Sequence, residues 1–86
     1  ITMKFNLSPQ SFVKSNISAT VNVDSEAILS ADYSYNDEAL TLTFTNGSKY
    51  EYTRVPRFTF HGLQESASKG KFINNYVINT FSFKRV

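Results

Sequence analysis

The 86-residue chain has no cysteine and no tryptophan, a single histidine, three glycines and two prolines. Without cysteine, neither a disulfide framework nor a thiolate metal site can support so small a core, and an oxidising compartment is not implied. His61 falls inside a predicted helix with no sequence-local carboxylate or nucleophile pattern, and one histidine does not make the usual multi-ligand metal site. Asp37 and Glu38 sit at a turn signal, where carboxylates serve backbone amides more often than catalysis. The expectation is a non-enzymatic protein without cofactor or metal. No apolar run approaches the roughly 20 residues that cross a bilayer, and the opening ITMKFNLSPQ lacks the apolar stretch of a secretory signal. The chain therefore reads as cytoplasmic and free of the membrane, with Met3 as a native start.

The chain does have eight phenylalanines and five tyrosines, whose burial makes a small core feasible in one domain. Its net charge of +2 hides an asymmetry. Residues 1–48 carry Lys4 and Lys14 against Asp24, Glu26, Asp32, Asp37 and Glu38. Residues 49–86 carry Lys49, Arg54, Arg57, Lys69, Lys71, Lys84 and Arg85 against Glu51 and Glu65. An anionic ligand would meet the second half, unless folding interleaves the two.

Period-two alternation predicts strands with one buried face: Ile17, Ala19, Val21 and Val23, then Leu40, Leu42 and Phe44, with residues 27–35 between them and a turn at Asn36-Asp37. Met3 to Leu7 makes a further short strand ended by Ser8-Pro9, and Phe81 and Phe83 alternate with Ser82 and Lys84 in a final one. Pro56 suits the first turn of a short helix bearing Phe60, Leu63 and Ala67, in which Gly62 costs about 1 kcal/mol relative to Ala. Phe72, Ile73, Tyr76 and Val77 form a second helical stripe. Strands followed by helices predict an α+β fold, a small antiparallel β-sheet with one or two short helices packed on one face.

Asn46-Gly47 is a strong hairpin signal, and its loop length decides where Tyr50 and Tyr52 point. A two-residue turn sets Tyr50 against Thr43 and Tyr52 against Thr41, making the tyrosines a stacking platform for bases. A three-residue loop with Gly47 at positive φ sets them against Leu42 and Leu40, in the core.

The segment SASKGKFINN, residues 66–75, raises a similar choice between a plain helix start and an anion site. Ser68, Lys69, Gly70, Lys71 and Asn74 gather a hydroxyl, two ammonium groups, an amide and a glycine read at positive φ just ahead of the helical stripe. Arg54, Lys84 and Arg85 complete such a site if the fold brings them near, and Tyr50 and Tyr52 join it if they are exposed.

Tyr50-Glu51-Tyr52, Val55-Pro56, Ser68-Lys69-Gly70-Lys71-Phe72 and Phe81-Ser82-Phe83-Lys84-Arg85, in that order, resemble the KTSC domain, a small bacterial and phage domain also found at the C-terminus of some lysyl-tRNA synthetases. The resemblance covers residues 28–86 and marks residues 1–27 as an extension that adds strands to a single domain spanning 1–86. It implies a binding module without established catalysis in a bacterial host cell, with RNA or another single-stranded nucleic acid as the suggested ligand. The chain departs from the pattern where Ile78 follows Val77 in place of an arginine, and where Phe81 and Phe83 replace tyrosines. With few cations for a polyanion, the residues favour a compact phosphate-bearing nucleotide, as in a phage protein that soaks up a nucleotide signal. RNA binding is the alternative, and so is a protein-interaction or self-assembly module forming a homo-oligomer.

Overall fold

The computed structural model describes residues 17–23 and 25–86. Among these residues, five strands form one antiparallel sheet in the order β1-β2-β3-β4-β5: β1 is Ser18–Asn22, β2 Ile28–Ser34, β3 Ala39–Phe44, β4 Lys49–Tyr52 and β5 Phe83–Arg85. Between β4 and β5 the chain makes two helices, α1 (Arg57–Glu65) and α2 (Lys69–Ile73), and α2 widens into a π-helical turn, Asn74–Ile78. This is the α+β arrangement expected from the sequence. The strand expected at Met3 to Leu7 lies outside the described residues.

Alternation holds in part of β1 and β3, where Val21, Leu40 and Leu42 are buried between less buried Thr20, Asn22, Thr41 and Thr43. Ala39 beside Leu40 is buried too, however, and Ile17, read on the inner face, is 64% exposed ahead of β1. In β2 the register shifts between Ile28 and Ser30, so that Leu29 bulges out, 57% exposed, while Ile28 and Ala31 both reach the core. A bulge allows two inward residues at odd spacing, and this is what period two alone misses.

The β3–β4 loop has the three-residue form. Phe44 N–H donates to the Ser48 carbonyl (2.8 Å), Gly47 N–H donates to the Phe44 carbonyl (2.9 Å), and Gly47 sits at φ 93°. Leu42 therefore faces Tyr50 and Leu40 faces Tyr52. Both tyrosines turn toward the helices.

Phe60 and Leu63 of α1 and Ile73 and Val77 from α2 and its continuation are fully buried against Tyr33, Leu40, Leu42, Tyr52 and Val55. The wider π turn advances the chain so that Ile78 and Phe81 also pack on this cluster. Ala67 lies beyond α1 and is exposed, since that helix ends at Glu65. At Gly62 the helices meet closely: a Cβ there would stand 2.9 Å from Cζ of Phe72. The glycine's propensity cost thus permits the packing of α2 on α1.

Among the described residues, no helix packs on the opposite face of the sheet. Thr20, Asp32, Thr41 and Glu51 stand across it in register, with Ser30, Ser34 and Thr43 beside them. Thr20 hydroxyl donates to the Asp32 carboxylate, and Lys84 pairs with Glu51 at 3.5 Å. This face is polar and holds no aromatic ring among these positions.

Candidate anion-binding clefts

The loop between α1 and α2 is held by its own side chains. Ser66 N–H closes the end of α1 on the Leu63 carbonyl (3.2 Å), Ser66 hydroxyl donates to the Ser68 carbonyl (2.9 Å), and Ser68 N–H donates back to the Ser66 hydroxyl (3.2 Å). Ser68 caps α2 by position, with no side-chain bond to its amides. Lys69 Nζ donates to the Ser66 carbonyl at 2.9 Å. That contact places an ammonium at the C-terminal end of α1, where it satisfies a carbonyl and opposes the negative end of the helix dipole. An ammonium has three donors, so Lys69 retains capacity for an anion.

Gly70 is helical in α2, and among the described glycines only Gly47 has positive φ. The expectation of a left-handed Gly70 is therefore corrected. Its missing side chain serves proximity instead: a Cβ there would lie 3.3 Å from the Ser25 Cβ in the β1–β2 turn. This contact brings α2 to the β1–β2 side of the sheet. An open pocket of about 340 Å³ results, lined by Asn22, Ala67, Ser68 and Lys69. Lys71 and Asn74 are exposed along the same helical segment.

The remaining basic candidates are elsewhere. Lys84 and Arg85 are exposed on β5, at the far edge of the sheet from β1. Three to four strand spacings separate them from the Ser25–Gly70 contact, roughly 15–19 Å. The sheet order thus keeps the two groups of cations from forming one small site, which the sequence left open. Tyr52 is 3% exposed, with its ring tilted against Phe83 at 5.3 Å. Tyr50 is half-buried, edge-on to both Phe44 and Phe83 at 5.6 Å. Both rings are packed against other aromatic side chains, and Tyr52 is too buried to serve as a platform for bases.

Arg54 lies in the β4–α1 loop at φ 59°, and with Thr53, Thr80, Phe81 and Ser82 it lines a second open cleft of about 360 Å³. Asn22, Thr53, Thr80 and Ser82 were not among the ligand-binding candidates read from the sequence. They are ordinary loop and strand-end residues, and only the sheet topology gives them their neighbours. His61 is exposed on α1, its ring 6.2 Å from that of Tyr35. Arg57 lies over the Tyr35 ring at 5.6 Å from its centroid. Among the described residues, no group of three His, Cys, Asp or Glu side chains is placed to hold a metal ion, and no helix is long and apolar enough to cross a membrane.

Burial raises the pKa of Tyr33 above the ordinary tyrosine value, and the nearby Glu38 charge adds to the effect. Burial also raises that of Tyr52, with a smaller contribution from Tyr50. Both phenols are thus neutral parts of the core over the physiological range.

Comparison with known proteins agrees with this architecture. A crystal structure of a KTSC domain protein from Yersinia pestis superposes with a TM-score of 0.70 at 25% identity, covering 81% of this chain and 99% of that one. A protein of Tsukamurella paurometabola is 40% identical over 55 residues, 64% of this chain and 82% of its own length. A lysine–tRNA ligase of Nostoc punctiforme is 33% identical over 54 residues, which are 63% of this chain and 10% of the ligase. The KTSC domain model itself matches residues 24–81, and the chain belongs to the KTSC domain family.

Proposed function

We propose that this KTSC domain is a non-catalytic binding module for a compact phosphate-bearing ligand of nucleotide type, held at the pocket beside α2. The observation that carries this reading is the convergence of Ser68 and Lys69 with Asn22, at the end of β1, around one open pocket. An ammonium and a serine hydroxyl supply charge and directed donors to a phosphate, and Gly70 lets α2 approach Ser25 closely beside the pocket. A pocket of about 340 Å³ is of a size that small molecules occupy. Sequestering such a ligand requires only binding and slow release.

A second reading, RNA binding, draws on the matching segment in a lysine–tRNA ligase. Against it stand the division of the cations between opposite edges, the packing of Tyr50 and Tyr52 against other rings, and a second sheet face without aromatic rings at its described register positions. Single-strand binders combine a continuous basic groove with accessible rings.

Calorimetric titration with mononucleotides, cyclic nucleotides and an unstructured oligoribonucleotide tests the proposal, using the unaltered chain and Lys69→Ala. Saturable nucleotide binding that weakens about tenfold in Lys69→Ala, the effect of losing a charge-assisted contact, supports it. Nucleotide binding indifferent to Lys69 removes the assignment to this pocket. Absence of binding to any of these ligands favours the assembly module.

A further inference from the structure

The geometry points to a second, separate phosphate-binding cleft at the other end of the sheet, centred on Arg54. Its backbone is pinned on several sides. Thr53 N–H donates to the Ser82 carbonyl (3.0 Å), Val55 N–H donates to the Glu38 carbonyl (2.8 Å), and the Val55 carbonyl accepts from the buried Tyr33 hydroxyl (2.6 Å). Between these anchors Arg54 adopts φ 59°, a conformation that favours glycine or asparagine, directly across from Glu38 at φ 52°. The loop therefore holds an exposed arginine on a rigid base at a backbone cost that glycine would avoid.

The arginine has no partner of its own among the described residues. The ion pair at this edge of the sheet joins Lys84 to Glu51 and leaves the Arg54 guanidinium without a carboxylate within 4.0 Å. The residues lining the cleft with Arg54 are Thr53, Thr80 and Ser82, each of which carries a hydroxyl, and the aromatic Phe81. A guanidinium fork with three hydroxyls offers more donors than the two oxygens of a carboxylate use, and suits the oxygens of a phosphate group. The cleft's volume of about 360 Å³ leaves room for a small substituent beside Phe81, so the ligand class is a phosphate monoester. The cleft shares no lining residue with the pocket around Ser68 and Lys69, and its occupancy does not depend on the nucleotide proposal.

The test is NMR titration of the full chain with inorganic phosphate, phenyl phosphate and acetate. The readouts are the amides of Thr53, Arg54, Thr80 and Ser82 and the Arg54 side-chain Nε–H. Saturable shifts with both phosphates, tighter for phenyl phosphate, and weaker shifts with acetate are expected. Arg54→Gln should weaken phosphate binding at these amides about tenfold, while Lys69→Ala leaves it unchanged. Arg54→Gly separates binding from folding: it should lose phosphate binding without lowering the melting temperature, because glycine suits the left-handed backbone. Shifts that grow linearly with phosphate, acetate binding as tight as phosphate, or full phosphate binding in Arg54→Gln would each overturn the assignment.

Discussion

The buried Tyr33 hydroxyl donates a 2.6 Å hydrogen bond to the carbonyl of Val55, 22 residues away, while its ring stacks on Phe60 at 4.6 Å. One side chain thereby ties β2 to both α1 and the loop that carries Arg54. Removing the hydroxyl leaves a buried carbonyl without its donor, which costs about 1–3 kcal/mol. Tyr33→Phe should lower unfolding free energy by that amount in urea denaturation with an unchanged m-value. A loss below about 0.5 kcal/mol would mean that the Val55 carbonyl finds another donor.

Alkaline stability follows from the raised pKa values of Tyr33 and Tyr52. Below the ordinary tyrosine value of about 10 both folded and unfolded chains keep these phenols protonated, so the stability is fully present. As pH rises past that value the unfolded chain releases protons first, and stability falls through the folded-state values. Phenolate absorbance should therefore show a fraction of the five tyrosines titrating late and together with unfolding. Simple titration of all five at an ordinary value, with the fold intact, would contradict the burial.

The hairpin register makes Tyr52 a core residue and Tyr50 a half-buried one. Tyr52→Ala should cost about 3 kcal/mol through lost burial and the remaining cavity. Tyr50→Ala should cost distinctly less. Equal, near-neutral effects in thermal melts would place both rings in solvent.

Gly62 is predicted to resist helix optimisation. Alanine gains about 1 kcal/mol in helix propensity, but its Cβ would stand 2.9 Å from Cζ of Phe72, and overpacking costs about 1–3 kcal/mol. Gly62→Ala should destabilise by about 1 kcal/mol net of these effects, and Phe72→Leu in the same chain should offset much of that loss. A stabilising Gly62→Ala would show that the Phe72 ring moves aside freely.

Much of the sheet was legible because Val21, Leu40 and Leu42 alternate with polar neighbours, and Phe60, Leu63, Ile73 and Val77 recur at helical spacing. The Asn46-Gly47 pair announced a hairpin, yet both loop lengths satisfy it. Only the backbone bond from Phe44 to Ser48, with Gly47 at φ 93°, selects the register. Gly70 misled for the opposite reason, since a glycine before an apolar stripe suggests a positive φ, whereas here it admits Ser25. The division of the basic residues was not legible at all. Lys69 and Lys84 belong to the same charged half of the sequence, but strand order assigns β5 to one edge and the Ser25 contact draws α2 toward the other.

The most direct measurement of the nucleotide proposal is the salt dependence of binding, compared between a mononucleotide and an oligoribonucleotide on the unaltered chain. Counterion release gives a slope of log K against log[salt] near −0.7 per phosphate contacted on a single strand, so a polymer meeting about five basic residues would reach roughly −3.5. A compact ligand beside Lys69 contacts fewer cations and draws on enclosure and directed hydrogen bonds. The predicted result is saturable mononucleotide binding with a slope shallower than about −2, and weaker oligoribonucleotide binding at physiological salt. Tight oligoribonucleotide binding with a slope near −3.5, alongside weak mononucleotide binding, would contradict the proposal.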